Sequence, residues 1–132
     1  MPDPYTKVSL AAVPDVAPAN GFGERWEARV AREALGARAT GVSHFRLPPG
    51  GRSPFCHRHR EAEEVYVILR GSGRARLDGD FVEVGPLDAL RVDAPVVRAF
   101  EAGDEGLEFL AVGAHVPGDG QPVEDPWVSF EG

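Results

Sequence analysis

The chain has 132 residues, 42% of them hydrophobic and 27% charged, a globular balance that excludes the disordered and membrane-spanning classes. Its net charge of −7 is uneven, with 12 basic and 8 acidic groups in residues 1–76 against 2 and 13 in residues 77–132. Overall acidity without a concentrated basic face argues against nucleic acid as a partner. A single cysteine, Cys56, excludes an internal disulfide framework and a multi-cysteine zinc site. No apolar run reaches the roughly 20 residues of a membrane span, and Met1–Ala19 lacks the basic cluster and apolar run of a secretion signal, so the expected location is the cytoplasm.

A single domain is expected over residues 1–132, with 1–38 as an N-terminal arm, first strand and helical turn, 39–114 as the core and 115–132 as a C-terminal tail. In the arm, Pro2, Pro4, Pro14 and Pro18 oppose regular helix and Asn20-Gly21 marks a turn. Trp26–Val30 alternates as a strand does, and Ala31–Leu35 suits one helical turn stopped by Gly36. From Thr40 the period is two. It predicts strands at Thr40–Leu47, Glu63–Leu69, Gly73–Leu77, Phe81–Val84, Ala89–Val92, Val96–Glu101 and Leu107–Gly113, with turns at the intervening glycines, prolines and aspartates, of which Asp78-Gly79 is the clearest hairpin signal. Short strands at this spacing indicate an all-β sandwich or barrel. The tail is proline-rich and is expected to close over the fold through Trp127.

Val65-Tyr66-Val67-Ile68-Leu69 is apolar at both parities, so both faces of this strand should be covered, one by the interior and the other by a further layer or a second subunit. Ahead of it lies Cys56-His57-Arg58-His59-Arg60-Glu61-Ala62-Glu63-Glu64. In extended chain His57 and His59 project to one side. Glu64, five residues on across a short turn, can return to the same point. Two imidazoles and one carboxylate suit zinc, nickel, manganese or iron and leave coordination positions open for substrate.

The stretch resembles the first signature of the cupin family and matches it at every fixed position: Gly51, His57, His59, Glu64 and Gly71. The resemblance covers about residues 40–113. It implies a double-stranded β-helix, or jelly-roll barrel, of two antiparallel sheets, usually homodimeric, with a metal or small-molecule site inside. The second signature departs from the pattern. Placing Gly85-Pro86-Leu87-Asp88 on its turn carries the fourth ligand, normally histidine, onto Arg98. A guanidinium has no lone pair to offer a cation.

Three readings follow. In the first, His57, His59 and Glu64 hold a divalent transition metal while Arg98 clamps a small anionic or oxygenated molecule, as suits an oxygenase, isomerase or lyase. In the second the pocket is metal-free, Arg98 pairs with Glu64 or binds an anion, and the protein is a binding or sensing module. In the third, His44 or His115 replaces the missing ligand. Tyr66 shares the parity of Glu64 and Phe100 that of Arg98, so both are expected to line the pocket. Cys56 should point away from it, and Asp88 should hold its turn by accepting backbone N–H groups.

Overall fold

The computed structural model describes residues 4–123. Eight strands form one curled antiparallel sheet: β1 (Glu27–Val30), β2 (Thr40–Leu47), β3 (Cys56–His59), β4 (Glu64–Leu77), β5 (Asp80–Val84), β6 (Ala89–Val92), β7 (Arg98–Ala114) and β8 (Gly120–Val123). One path across it runs β1-β2-β7-β3-β8, while β4 pairs with β5, β6 and β7. The chain is thus an all-β barrel. The helical turn α1 (Arg32–Leu35) ends at Gly36, whose φ of +68° is the left-handed cap that favours glycine. Among the described residues no helix is long and apolar enough to cross a membrane.

β2 and β6 keep their expected bounds, and Asp78-Gly79 makes the two-residue hairpin that sets Leu77 opposite Asp80. Asp88 Oδ2 accepts the Gly85 N–H at 2.7 Å, as its turn requires. Two expectations are corrected. The four strands predicted on either side of Gly71–Gly73 and of Ala102–Asp104 are two: β4 has 14 residues and β7 has 17. They pair from Glu64↔Gly113 to Leu77↔Arg98, with register shifts between Ile68 and Arg70 and between Gly71 and Gly73. The glycines that read as turns are bulges at which the paired strands bend from one wall of the barrel to the other. A Cβ on Gly73 would lie 2.1 Å from the Glu101 carbonyl oxygen, so only glycine admits that approach.

The second correction concerns the tail. Gly120–Val123 is a strand, pairing with β3 from Cys56↔Val123 to His59↔Gly120. Trp127, the expected anchor, lies outside the described residues.

Inward side chains make a continuous aromatic column. Trp26 stacks on Phe45 at 4.8 Å between ring centroids, Phe45 on Phe109 at 5.2 Å and Phe109 on Phe100 at 4.3 Å, and Phe100 meets Tyr66 at 4.9 Å. Such pairs add to the burial of apolar area that drives folding. Because the column ends on Tyr66, a hydroxyl is fixed at the floor of the barrel's polar end.

Candidate metal centre

β3 runs antiparallel to β8 and meets β7 at the single pair His57↔Arg98. β4 begins at Glu64 on the opposite wall. Alternation along β3 turns both imidazoles inward and leaves Cys56, fully buried, facing away. One ligand atom from each of His57, His59 and Glu64 lies within 4.8 Å of the other two.

Glu64 Oε1 is the hub. It accepts from the Tyr66 hydroxyl at 2.6 Å and faces His59 Nε2 at 3.1 Å, Arg98 Nη1 at 3.3 Å and His57 Nε2 at 3.6 Å. Burial alone would raise the Glu64 carboxyl, but the His57 imidazole, the Tyr66 hydroxyl and the charge on the two histidines outweigh it and bring the group from 4.5 down to about 2. Tyr66 moves the other way: burial and the adjacent Glu64 carboxylate push its hydroxyl well above the ordinary value of 10, so it stays a donor. The Arg98 side chain is wholly buried; its Nη2 donates to the Asp93 carbonyl at 2.9 Å, and its Nε has no hydrogen-bond partner.

The orientation of His59 is set from behind. Asp119, just before β8, accepts the backbone N–H groups of Arg60, Glu61 and Ala62 at 3.2, 2.8 and 3.0 Å, and its Oδ2 lies 3.1 Å from His59 Nδ1. Burial opposes its ionisation, but the Ala62 and Glu61 N–H groups and His59 hold its carboxyl below the ordinary value. An ionised carboxylate only accepts, so the contact with Asp119 calls for a proton on Nδ1, and the tautomer that carries it there alone would leave Nε2 free to ligate an ion shared with Glu64. That Nε2 is buried and, although 3.1 Å from Glu64 Oε1, makes no hydrogen bond. An orphaned imidazole nitrogen, backed by a carboxylate and set beside a second imidazole and a carboxylate, is the donor arrangement a metal ion requires. The residues present therefore fit such an ion.

The sequence reading missed Asp119. Nothing near it in the chain marks it out, since its partners are 57 to 60 positions away. The structure does not bring His44 or His115 to the cluster. His44 lies on the outer face of β2 with Nε2 2.6 Å from Glu108 Oε2, and His115 is exposed beyond the end of β7. Phe100 packs under Tyr66, and a cavity of about 70 Å³ beside the cluster is lined by Phe100, Tyr66, Arg98, His57 and Glu64.

The cupin domain profile matches residues 43–113. Among solved structures, the chain is similar to a cupin protein of Bacteroides fragilis, with 27% identity over 88% of each chain and a TM-score of 0.69. A polyketide cyclase of Streptomyces resistomycificus is 22% identical over 96% of this chain and 93% of its own, with a TM-score of 0.75. A predicted oxalate decarboxylase of Thermotoga maritima is 30% identical over 69% of this chain and 81% of its own, with a TM-score of 0.60. A comparison with curated proteins finds no match.

Proposed function

The chain belongs to the cupin family, and from that premise we propose that its barrel is a metal-dependent site for a small anionic or oxygenated molecule, carrying out oxygenase, isomerase or lyase chemistry. The observation that carries the reading is the convergence of His57, His59 and Glu64 within 4.8 Å, with His59 Nε2 turned to Glu64 by Asp119 and making no hydrogen bond. His57, His59 and Glu64 would hold a divalent transition ion such as zinc, iron, manganese or nickel. That ion would supply Lewis acidity at its open coordination positions.

The rest of the chemistry belongs to the chain. Arg98, buried beside Glu64, offers fixed N–H donors to a carboxylate or enolate oxygen at no cost of reorganisation. Tyr66, kept protonated by its surroundings, holds Glu64 Oε1 in place and is the nearest hydroxyl to the cluster's hub. A divalent ion beside Arg98 would add positive charge where an anion's oxygens bind.

The Arg98–Glu64 contact at 3.3 Å favours a second reading, a metal-free binding module in which the two neutralise each other. Elemental analysis of protein produced in metal-replete medium separates them. The first reading expects close to one equivalent of transition metal, lost in His57→Ala. Absence of metal from the wild type rejects it. Arg98→His should tighten metal binding and weaken anion binding; no change in either places Arg98 outside the working site.

A homodimer belongs to the same proposal. Val42, Val112 and Val65 sit side by side across β2, β7 and β4 on the outer face, with Val112 still 36% exposed. A second copy would cover them.

A further inference from the structure

A second cavity, of about 300 Å³, opens onto the same histidine as the cluster. Trp26, Phe45, Phe55 and His57 line both this cleft and the inner cavity, so the two adjoin at three aromatic rings and one candidate ligand. Its other sides are Phe22 and Val16 of the N-terminal arm and Gly120–Pro122 of β8. It occupies the seam of the barrel: among the described residues β8 pairs only with β3, and β1, beyond its pairing with β2, is met only at the isolated bridge Asp15↔Arg29.

The two compartments differ in chemistry. The inner one, about 70 Å³, carries the charged groups and has room for a few heavy atoms. The outer one is almost wholly apolar and reaches the lower end of the roughly 300–1,000 Å³ usual for small-molecule sites. A metabolite consisting only of a small acid would fill the inner cavity and leave the aromatic cleft wet. We propose that the molecule taken by this protein is a ring-bearing carboxylate or enolate, its oxygens at the His57/His59/Glu64 cluster and Arg98 and its apolar ring in the cleft between the arm and β8. This inference rests on the metal-and-Arg98 reading above and adds the apolar body to it.

The test is calorimetric titration of the zinc-loaded protein with acetate, benzoate and 2-naphthoate, and with neutral 2-naphthylmethanol. Affinity is expected to rise at least tenfold from acetate to 2-naphthoate. Val16→Asp should cut that gain while bound zinc and acetate affinity stay unchanged, because Val16 lines the cleft and not the inner cavity. Phe22→Ser, at the far wall, should reduce the gain independently. Equal affinity for acetate and 2-naphthoate overturns the inference and leaves the reading of the centre standing. Binding of 2-naphthylmethanol as tight as that of 2-naphthoate, with none of acetate, rejects the anion reading and keeps the cleft as an apolar site. If the ring adds nothing and Phe22→Ser turns a dimer into a monomer in sedimentation, a second copy fills the cleft and the inference fails.

Discussion

Glu64 owes its ionised state to its neighbours. In the folded chain its carboxyl lies at about 2 against an ordinary 4.5, so it binds protons less readily folded than unfolded. Its contribution to stability is therefore complete above the unfolded value and is lost as the pH falls from 4.5 through about 2. The urea midpoint of the metal-free protein should drop across that window, and Glu64→Gln should flatten this part of the curve; an unchanged slope would place the acid sensitivity elsewhere. Asp119 acts one shell further out. Asp119→Asn keeps an oxygen for the Arg60 and Glu61 N–H groups but sets an amide nitrogen against both His59 Nδ1 and the Ala62 N–H. Metal affinity, measured by competition with a chelator, should fall about 10–100-fold. A flat result would mean that the ring keeps its tautomer without Asp119. At this scale the sequence was informative where chemistry is local. His57, His59 and Glu64 fall within eight positions and the structure brings them together, whereas Asp119 joins them only through the pairing of β8 with β3.

At the scale of elements, the strands that stand between hairpin turns were legible, and the long ones were not. Asp78-Gly79 and Gly85–Asp88 make real turns, the first through the positive φ of Asp78 and the second through that of Leu87 and the Asp88 carboxylate that accepts the Gly85 N–H. Gly71, Gly73 and Gly106 carry the same letters for another reason: backbone from a distant strand passes where a side chain would be. Local propensity does not distinguish the two uses. Substitution does. Gly73→Ala drives a Cβ to 2.1 Å from the Glu101 carbonyl oxygen and should destabilise the fold by about 3 kcal/mol or more. Gly50→Ala, at φ +70° with nothing within 4 Å, should cost about 1–2 kcal/mol. Chemical denaturation of both variants checks the contrast; similar losses would show that the backbone around Gly73 yields to the added methyl group.

For the whole molecule, the strand that is apolar on both faces divides as barrel geometry demands. Tyr66 and Ile68 are buried inward, while Val65 and Val67 lie outward beside Val112 and Leu110. The proposed dimer would use that outward face. Val65→Glu with Val112→Glu should leave a folded monomer in sedimentation velocity, whereas a wild type that is itself monomeric would remove the role assigned to this face. The seam matters at the same scale, because the arm, β1 and β8 enclose an apolar space that no single stretch of sequence outlines.

By itself the sequence determined the all-β class, the family signature and three of the polar groups at the centre, because alternation, hairpin turns and a short ligand spacing are properties of neighbouring residues. Only the tertiary structure decided that four expected strands are two, that Asp119 stands behind His59, that His44 and His115 stay away from the cluster, and that an aromatic cleft opens beside it. Each of these depends on which distant backbone lies alongside. That is fixed by burial and register across the closed sheet, which no local pattern encodes.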